Sequence, residues 1–219
     1  MATRFYTDPT NAPTVSPGYS SYWEDTTQGV RRKLVIDTPG NNAATSFSVT
    51  EINAGTNQVL AVQFVSEPLD AISATLPVFK AAFRCLESDA KSDAKLYTVL
   101  RKCDEDGSND ANISPTIDAV EFDNAALTNR YFGSGNKDDT VFSQGDRLIF
   151  EVGVDFSNSK TTEYGGTINV TDNHATTDLP ENDTETTAYN SWIETGDTFT
   201  EASGDPPAAI KLGPMFAFA

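Results

Sequence analysis

His174 is the only histidine in the 219-residue chain, so any Ser–His–Asp or Cys–His arrangement would have to pass its protons through it. It stands in the polar stretch 171–176, with no nucleophile elbow beside it, and a general base needs a fixed partner and a shielded site. A catalytic histidine is not expected there. Cys85 and Cys103 are the only two cysteines, and with one imidazole they do not complete a zinc site. They fall in segments 79–88 and 95–103, which read as the two arms of a hairpin. Pairing those arms about their short loop sets Cys85 opposite Thr98, so two free, buried thiols are expected rather than a disulfide.

The acidic run Asp104, Glu105, Asp106, Gly107, Ser108, Asn109, Asp110 has the alternate carboxylates that a hard cation wants. Placing Gly107 at the sixth position of a calcium loop, however, puts Lys102 at the first and Ile113 at the twelfth, where an Asp and a bidentate Glu are required. A tight hairpin turn accounts for the run, because Asp and Gly are standard turn formers. Thirty-two Asp and Glu residues could supply a glycosidase pair, but spacing along separate strands does not fix their separation. From these residues the chain is expected to hold no metal or cofactor and not to be an enzyme.

Any such side chains would be positioned by β-strands. Short apolar or alternating runs at Lys33–Asp37, Ser46–Glu51, Val59–Val65, Val78–Glu87, Leu96–Cys103, Thr116–Phe122 and Arg147–Phe156 are separated by Gly-, Pro-, Asn- and Asp-rich punctuation. This spacing predicts an all-β fold, an antiparallel β-sandwich or jelly roll. In the last run Leu148, Phe150, Val152, Val154 and Phe156 share one face, and Arg147, Glu151 and Asp155 the other, which predicts a core side and a wet side. Val59–Val65 is apolar on both faces, as in a central strand covered on two sides or one facing a partner. Only Asp123–Arg130 reads as a short helical turn, and residues 157–205 read as a strand, a long polar loop and a final strand.

The organisation expected is an extended N-terminal arm over 1–31, a sandwich domain with long polar loops over 32–205, and an apolar C-terminal tail over 206–219. Pro9, Pro13 and Pro17 remove backbone donors from the arm, and Phe5, Tyr6, Tyr19, Tyr22 and Trp23 give it aromatic anchors. Such an arm either folds back over its own core or lies across a neighbouring subunit. In the tail, burial of Met215, Phe216 and Phe218 is worth about 1.5–3 kcal/mol each, so docking on the same chain or on a neighbour is expected. These eight residues are the candidate partner-binding set.

The formal net charge of −17 surrounds the chain with a field that repels phosphate backbones and anionic lipid. Neither nucleic acid nor a membrane is an expected partner. The N-terminus lacks a signal-peptide apolar run, and no stretch approaches the roughly 18 apolar residues of a membrane helix; synthesis in a cytoplasm is expected.

Two groups of residues then suggest a family. Thr3-Arg4-Phe5-Tyr6, with Pro13, Ser16-Pro17, Trp23 and Arg31-Arg32-Lys33-Leu34, resembles the start of a group of tailed-bacteriophage virion proteins. The blocks 145–153 and 172–184, with Asn190-Ser191-Trp192-Ile193-Glu194, resemble the same group, in the same order, over most of the chain. The long apolar extension after Glu194 departs from that pattern. The resemblance implies a jelly-roll or sandwich protein of the phage particle, located in the virion and made in the host cytoplasm.

On that reading the chain is a capsid decoration or cement protein that binds and stabilises capsid subunits. Its partners would be other virion proteins, the major capsid protein first, and it would form a homo-oligomer. A tail, collar or fibre component is the nearest competitor. A carbohydrate-binding host-adhesion module, with Trp23 and Trp192 as its sugar platform, is the alternative from another class.

Overall fold

The computed structural model describes residues 2–36, 38–40, 42–51, 56–76, 78–134, 139–157, 162–172 and 177–203. Among them the chain is all-β, as the sequence predicts. The strands are β1 Thr3–Asp8, β2 Val30–Ile36, β3 Asn42–Thr50, β4 Thr56–Ser66, β5 Ile72–Ala74, β6 Phe79–Glu87 and β7 Ala94–Cys103. They continue with β8 Ala111–Glu121, β9 Thr128–Ser134, β10 Thr140–Phe142, β11 Arg147–Ser157, β12 Gly165–Asp172 and β13 Trp192–Thr195.

One sheet runs in the order β3-β12-β6-β13-β1-β2-β4-β11-β7-β8, with β9 on the other edge of β6, and β10 and β5 form a separate two-stranded ribbon. β6 pairs with β12 through Arg84–Glu87 and with β13 through Phe79–Ala82, so β12 and β13 follow one another along a single edge. The sheet folds back on itself. Phe83 of β6 stacks on Phe150 of β11 with ring centroids 6.0 Å apart, and Phe79 lies 5.6 Å from the same ring, although the two strands are not neighbours in the order. The result is a two-layer sandwich, with β3, β12, β6, β9, β13 and β1 facing β2, β4, β11, β7 and β8 across a Phe-rich core. Pairing is antiparallel except for β2 with β4, which run parallel because β3 crosses to the opposite layer between them.

The alternation in β11 is as expected on its inner side, where Leu148, Phe150, Val152, Val154 and Phe156 are all core residues. Its outer side is not wet: Arg147, Glu151 and Asp155 are buried too. Strand β4 is likewise covered on both faces. What covers them is the N-terminal segment, which takes, of the two placements open to it, the one over its own core. Residues 3–8 are a strand inside the sheet, paired with both β2 and β13, and the chain that follows crosses the outer face of β4, β11 and β7.

Two local readings also change. Segments 79–88 and 95–103 are strands but not a hairpin, because β6 and β7 lie in opposite layers and residues 88–93 arch between them. A hairpin and an arch have the same sequence pattern when both strands are buried. The two thiols are nonetheless free and buried; burial pushes the Cys85 thiol well up and the Cys103 thiol to about 11. The helical turn expected at Asp123–Arg130 is a bend, held by the Ala125 amide donating to Asp123 Oδ1 at 2.7 Å, that leads into β9. The acidic run is a turn as predicted: it joins β7 to the antiparallel β8, with the Gly107 amide donating to the Asp104 carbonyl and Gly107 at φ 87.

Gly153 marks where the outer layer is tightest. The β11–β4 register slips between Val152 and Gly153, and a Cβ there would meet the Val59 carbonyl oxygen and stand 2.7 Å from the Trp23 ring. Backbone cannot yield as a flexible side chain can, so Gly153→Ala is expected to destabilise the fold by about 1–3 kcal/mol. Urea unfolding of the variant beside the parent measures this.

Candidate interaction face

The segment from Pro9 to Gly29 forms a strap over the outer layer, and a single carboxylate fastens it. Glu151, fully buried on β11, accepts from Trp23 Nε1 at 2.6 Å, the Ser20 amide at 3.1 Å, Gln63 Nε2 at 2.9 Å and Arg101 Nη1 at 2.7 Å. Two of these donors come from the strap and two from the flanking strands β4 and β7. Arg101 also donates to the Gly18 carbonyl at 2.6 Å and pairs with Asp110 at 2.9 Å. Arg31 lies 4.1 Å over the Tyr19 ring and donates to the Pro17 carbonyl at 2.8 Å. Buried charge is tolerated only when paired and hydrogen-bonded; Glu151 meets that condition with four donors, while Arg101 is paired twice and keeps one buried nitrogen, Nε, without a hydrogen bond.

Apolar contacts complete the strap. Trp23 meets Tyr97 edge to face at 5.0 Å and packs with Leu60 and Val99, while Val15 lies against Val65, Cys103 and Ile149.

The opposite layer has its own cover, the loop 177–191. Trp192 Nε1 donates to the Leu179 carbonyl at 2.7 Å, and Arg4 sits 4.1 Å over the Trp192 ring while pairing with Asp178 and Glu194 at 2.7 Å each. Tyr6 donates to Asp178 at 3.0 Å, and burial together with that carboxylate pushes its phenol up to about 12. A cross-strand row of Ser46, Asn169, Arg84 and Asn129 continues beneath the loop, in register across β3, β12, β6 and β9. Arg84 donates to the Thr186 carbonyl at 2.7 Å, and Asn129 to the carbonyls of Pro180 and Asn182. This loop also shields the outer edge of β9, whose Asn129 amide donates to the Glu185 carbonyl.

These positions sort the candidate partner-binding residues. Phe5, Tyr6 and Trp23 are buried in the chain's own core and are corrected as partner contacts. Tyr19 is half-buried beneath Arg31. Tyr22 alone of the five projects, 44% exposed. Met215, Phe216, Phe218 and His174 lie outside the described residues. Trp192 is fully buried and Trp23 nearly so, which removes both rings proposed as a sugar platform.

Sequence reading missed the companions of Tyr22. Ile117 on β8 is 48% exposed and is the cross-strand partner of Tyr97, so it shares the outer face on which Trp23 and Tyr97 pack. Val120, 50% exposed, stands further along the same strand. Among the described residues β8 pairs only with β7. Its Pro115 and its register slips against β7 blunt it as a template for strand addition, which leaves side chains rather than backbone as the means of contact. Ile117 and Val120 stand three positions apart, not at the even spacing of one strand face, so nothing in the sequence linked them to Tyr22.

No family model and no curated protein matches the chain. Solved structures do. A CocE/NonD family hydrolase from Staphylococcus aureus is similar at TM-score 0.51 and 10% identity, over 89% of this chain and 36% of that one. An α-amino acid ester hydrolase is similar at TM-score 0.48 and 13% identity, over 80% and 35%. A structure of infectious bursal disease virus shows a weak likeness, at TM-score 0.28 and 9% identity, over 76% and 37%.

At these identities the shared feature is the fold. The chain spans about a third of the length of the hydrolases it matches. The expectation that it is not an enzyme is corrected all the same, since solved structures with this sandwich are hydrolases and the fold gives no ground for setting the chain apart from enzymes.

Removing the Glu151 carboxylate leaves Arg101 buried beside strap donors that have lost their acceptor. Glu151→Ala is expected to cost about 3–5 kcal/mol and to expose residues 9–29 to protease while the sandwich remains folded. Limited proteolysis with mass mapping, alongside urea unfolding, checks both parts.

Proposed function

We propose that the chain is a structural protein of a tailed-bacteriophage particle, a decoration or cement protein that docks on capsid subunits through the Tyr22–Ile117 face. The observation that carries this reading is an exposed aromatic and aliphatic patch held rigid from beneath. Tyr22 is adjacent to Trp23, which Glu151 anchors, and Ile117 is backed by Tyr97. Anchors of this kind lose little conformational freedom on binding, so more of their contact energy is retained.

The sequence resemblance supports the same reading. The residues that carry it are framework residues: Arg4 and Trp192 lock the loop 177–191, Glu151 fastens the strap, and Asn190 donates to Asp178. A pattern of this kind specifies a scaffold. The negative charge would keep many copies soluble and apart until they meet a lattice, and the stretch from Pro115 to Val120, whose one ionisable residue, Asp118, is buried and paired with Arg130 at 2.7 Å, is where contact would be least opposed. The partners are then the major capsid protein and further copies of this chain.

Exposed substitutions test the face without disturbing the core. Tyr22→Ala with Ile117→Asp is expected to leave the unfolding midpoint within about 0.5 kcal/mol of the parent and to reduce binding to purified undecorated capsids at least tenfold in co-sedimentation. Unchanged binding would exclude this face as the docking surface.

A further inference from the structure

Glu87, the last residue of β6, is 4% exposed and stands where four elements meet. Its carboxylate Oε2 accepts from the Ala94 amide at the start of β7, at 3.1 Å. Its own amide donates to the Asp123 carbonyl at 3.0 Å, beyond the end of β8, and the Phe122 amide donates to the Ala94 carbonyl at 2.8 Å. Ser88 and Gly165, at the start of β12, exchange two hydrogen bonds of 2.9 Å. The arch 88–93 between the layers is closed at this point, and Asp93 within it holds φ at 49, a conformation unfavourable for a side-chain-bearing residue.

The charges facing Glu87 are all of its own sign: Asp89 and Asp93 from the arch and Glu121 from β8. Among the described residues no lysine or arginine pairs with it; Lys91 and Lys95 are close in sequence but form no ion pair with this carboxylate. Among the described residues three buried carboxylates are answered by a cation, Glu151 by Arg101, Asp118 by Arg130 and Asp146 by Lys102. Glu87 is answered by one backbone amide.

We propose that this corner is a proton-operated latch between the two layers. With the Glu87 carboxyl neutral, the arch is held against β7 and the ends of β8 and β12. With it ionised, repulsion from Asp89, Asp93 and Glu121 loosens the arch without unfolding the sandwich. Burial first, and the three neighbouring carboxylates, push Glu87 from an ordinary 4.5 up to about 7, against the Ala94 amide, whose hydrogen bond favours the ionised form. An acid whose value is raised by folding binds its proton more tightly in the folded state, so its contribution to stability is full below about pH 4.5 and is lost as pH rises through about 7.

The test is a pair of titrations between pH 5 and 8.5 on the parent and on Glu87→Gln, which is neutral at every pH. Amide chemical shifts of Ala94 and of residues 88–93 report the latch, and urea midpoints report stability. In the parent the shifts are expected to move with a midpoint near 7 and the urea midpoint to fall across the same range; in Glu87→Gln the shifts stay flat and the urea midpoint loses that fall, keeping only what the other groups contribute. Because the comparison is with a variant that keeps every other titrating group, the contribution of His174 cancels. A second variant, Glu121→Gln, is expected to lower the parent midpoint by removing one like charge, and it serves should Glu87→Gln fail to fold. A parent midpoint near 4.5, an equal pH dependence in Glu87→Gln, or an unmoved midpoint in Glu121→Gln would each overturn the proposal.

Discussion

One buried carboxylate sets the terms for the outer layer. Glu151 would be solvated on a strand facing water on one side; buried as it is, it is tolerable only because the strap brings Trp23 and Ser20 to it while β4 and β7 bring Gln63 and Arg101. The dependence runs both ways. The Pro-interrupted strap has few main-chain partners of its own, and it is ordered because a charged acceptor draws its donors inward. Gly153 belongs to the same arrangement, since only a residue without a Cβ lets the Trp23 ring lie over the β11 bulge. The second cover, over β12, β6 and β13, uses Arg4 and Trp192 to the same end. Both faces of a sandwich that is ordinarily half solvated are therefore closed by chain that has no regular secondary structure, and among the described residues the large apolar side chains left exposed are confined to Tyr22, Ile117 and Val120 at one rim and Val78 and Val141 elsewhere.

That confinement explains why the sequence was informative about class and weak about sites. Strand runs such as Val59–Val65 and Arg147–Phe156 announced a sandwich through period-two alternation, a property of neighbouring residues. The burial of Glu151 and Asp155 did not follow from that alternation, because it is produced by a segment more than a hundred positions earlier. The same distance hid β1: Thr3–Asp8 reads as part of an aromatic arm and becomes a strand only because β13 and β2 offer it two edges. Aromatic residues near a terminus suggested a clamp for a neighbour. Phe5, Tyr6 and Trp23 are instead clamps on the chain itself, and Tyr22, the one polar-tipped ring left outside, is distinguished from them by a single step along the backbone. The β6–β7 arch was misread for a related reason, since the two free thiols follow from burial whether or not the strands pair.

The likeness to hydrolase structures and the resemblance to phage virion proteins answer different questions. A sandwich of two covered layers is a general solution to burying a Phe-rich core, and a fold shared at 10% identity describes that solution rather than a use for it. The resemblance rests instead on side chains with defined structural tasks, and it is these tasks, together with the exposed apolar rim at Tyr22 and Ile117, that support a subunit-binding role. The charge of −17 fits an assembly protein that must not associate early.

The copy number of the chain in purified particles, measured by quantitative mass spectrometry against the major capsid protein, tests that role most directly. A decoration or cement protein predicts a ratio near one or a simple fraction of it. A handful of copies per particle, or none, would contradict the account.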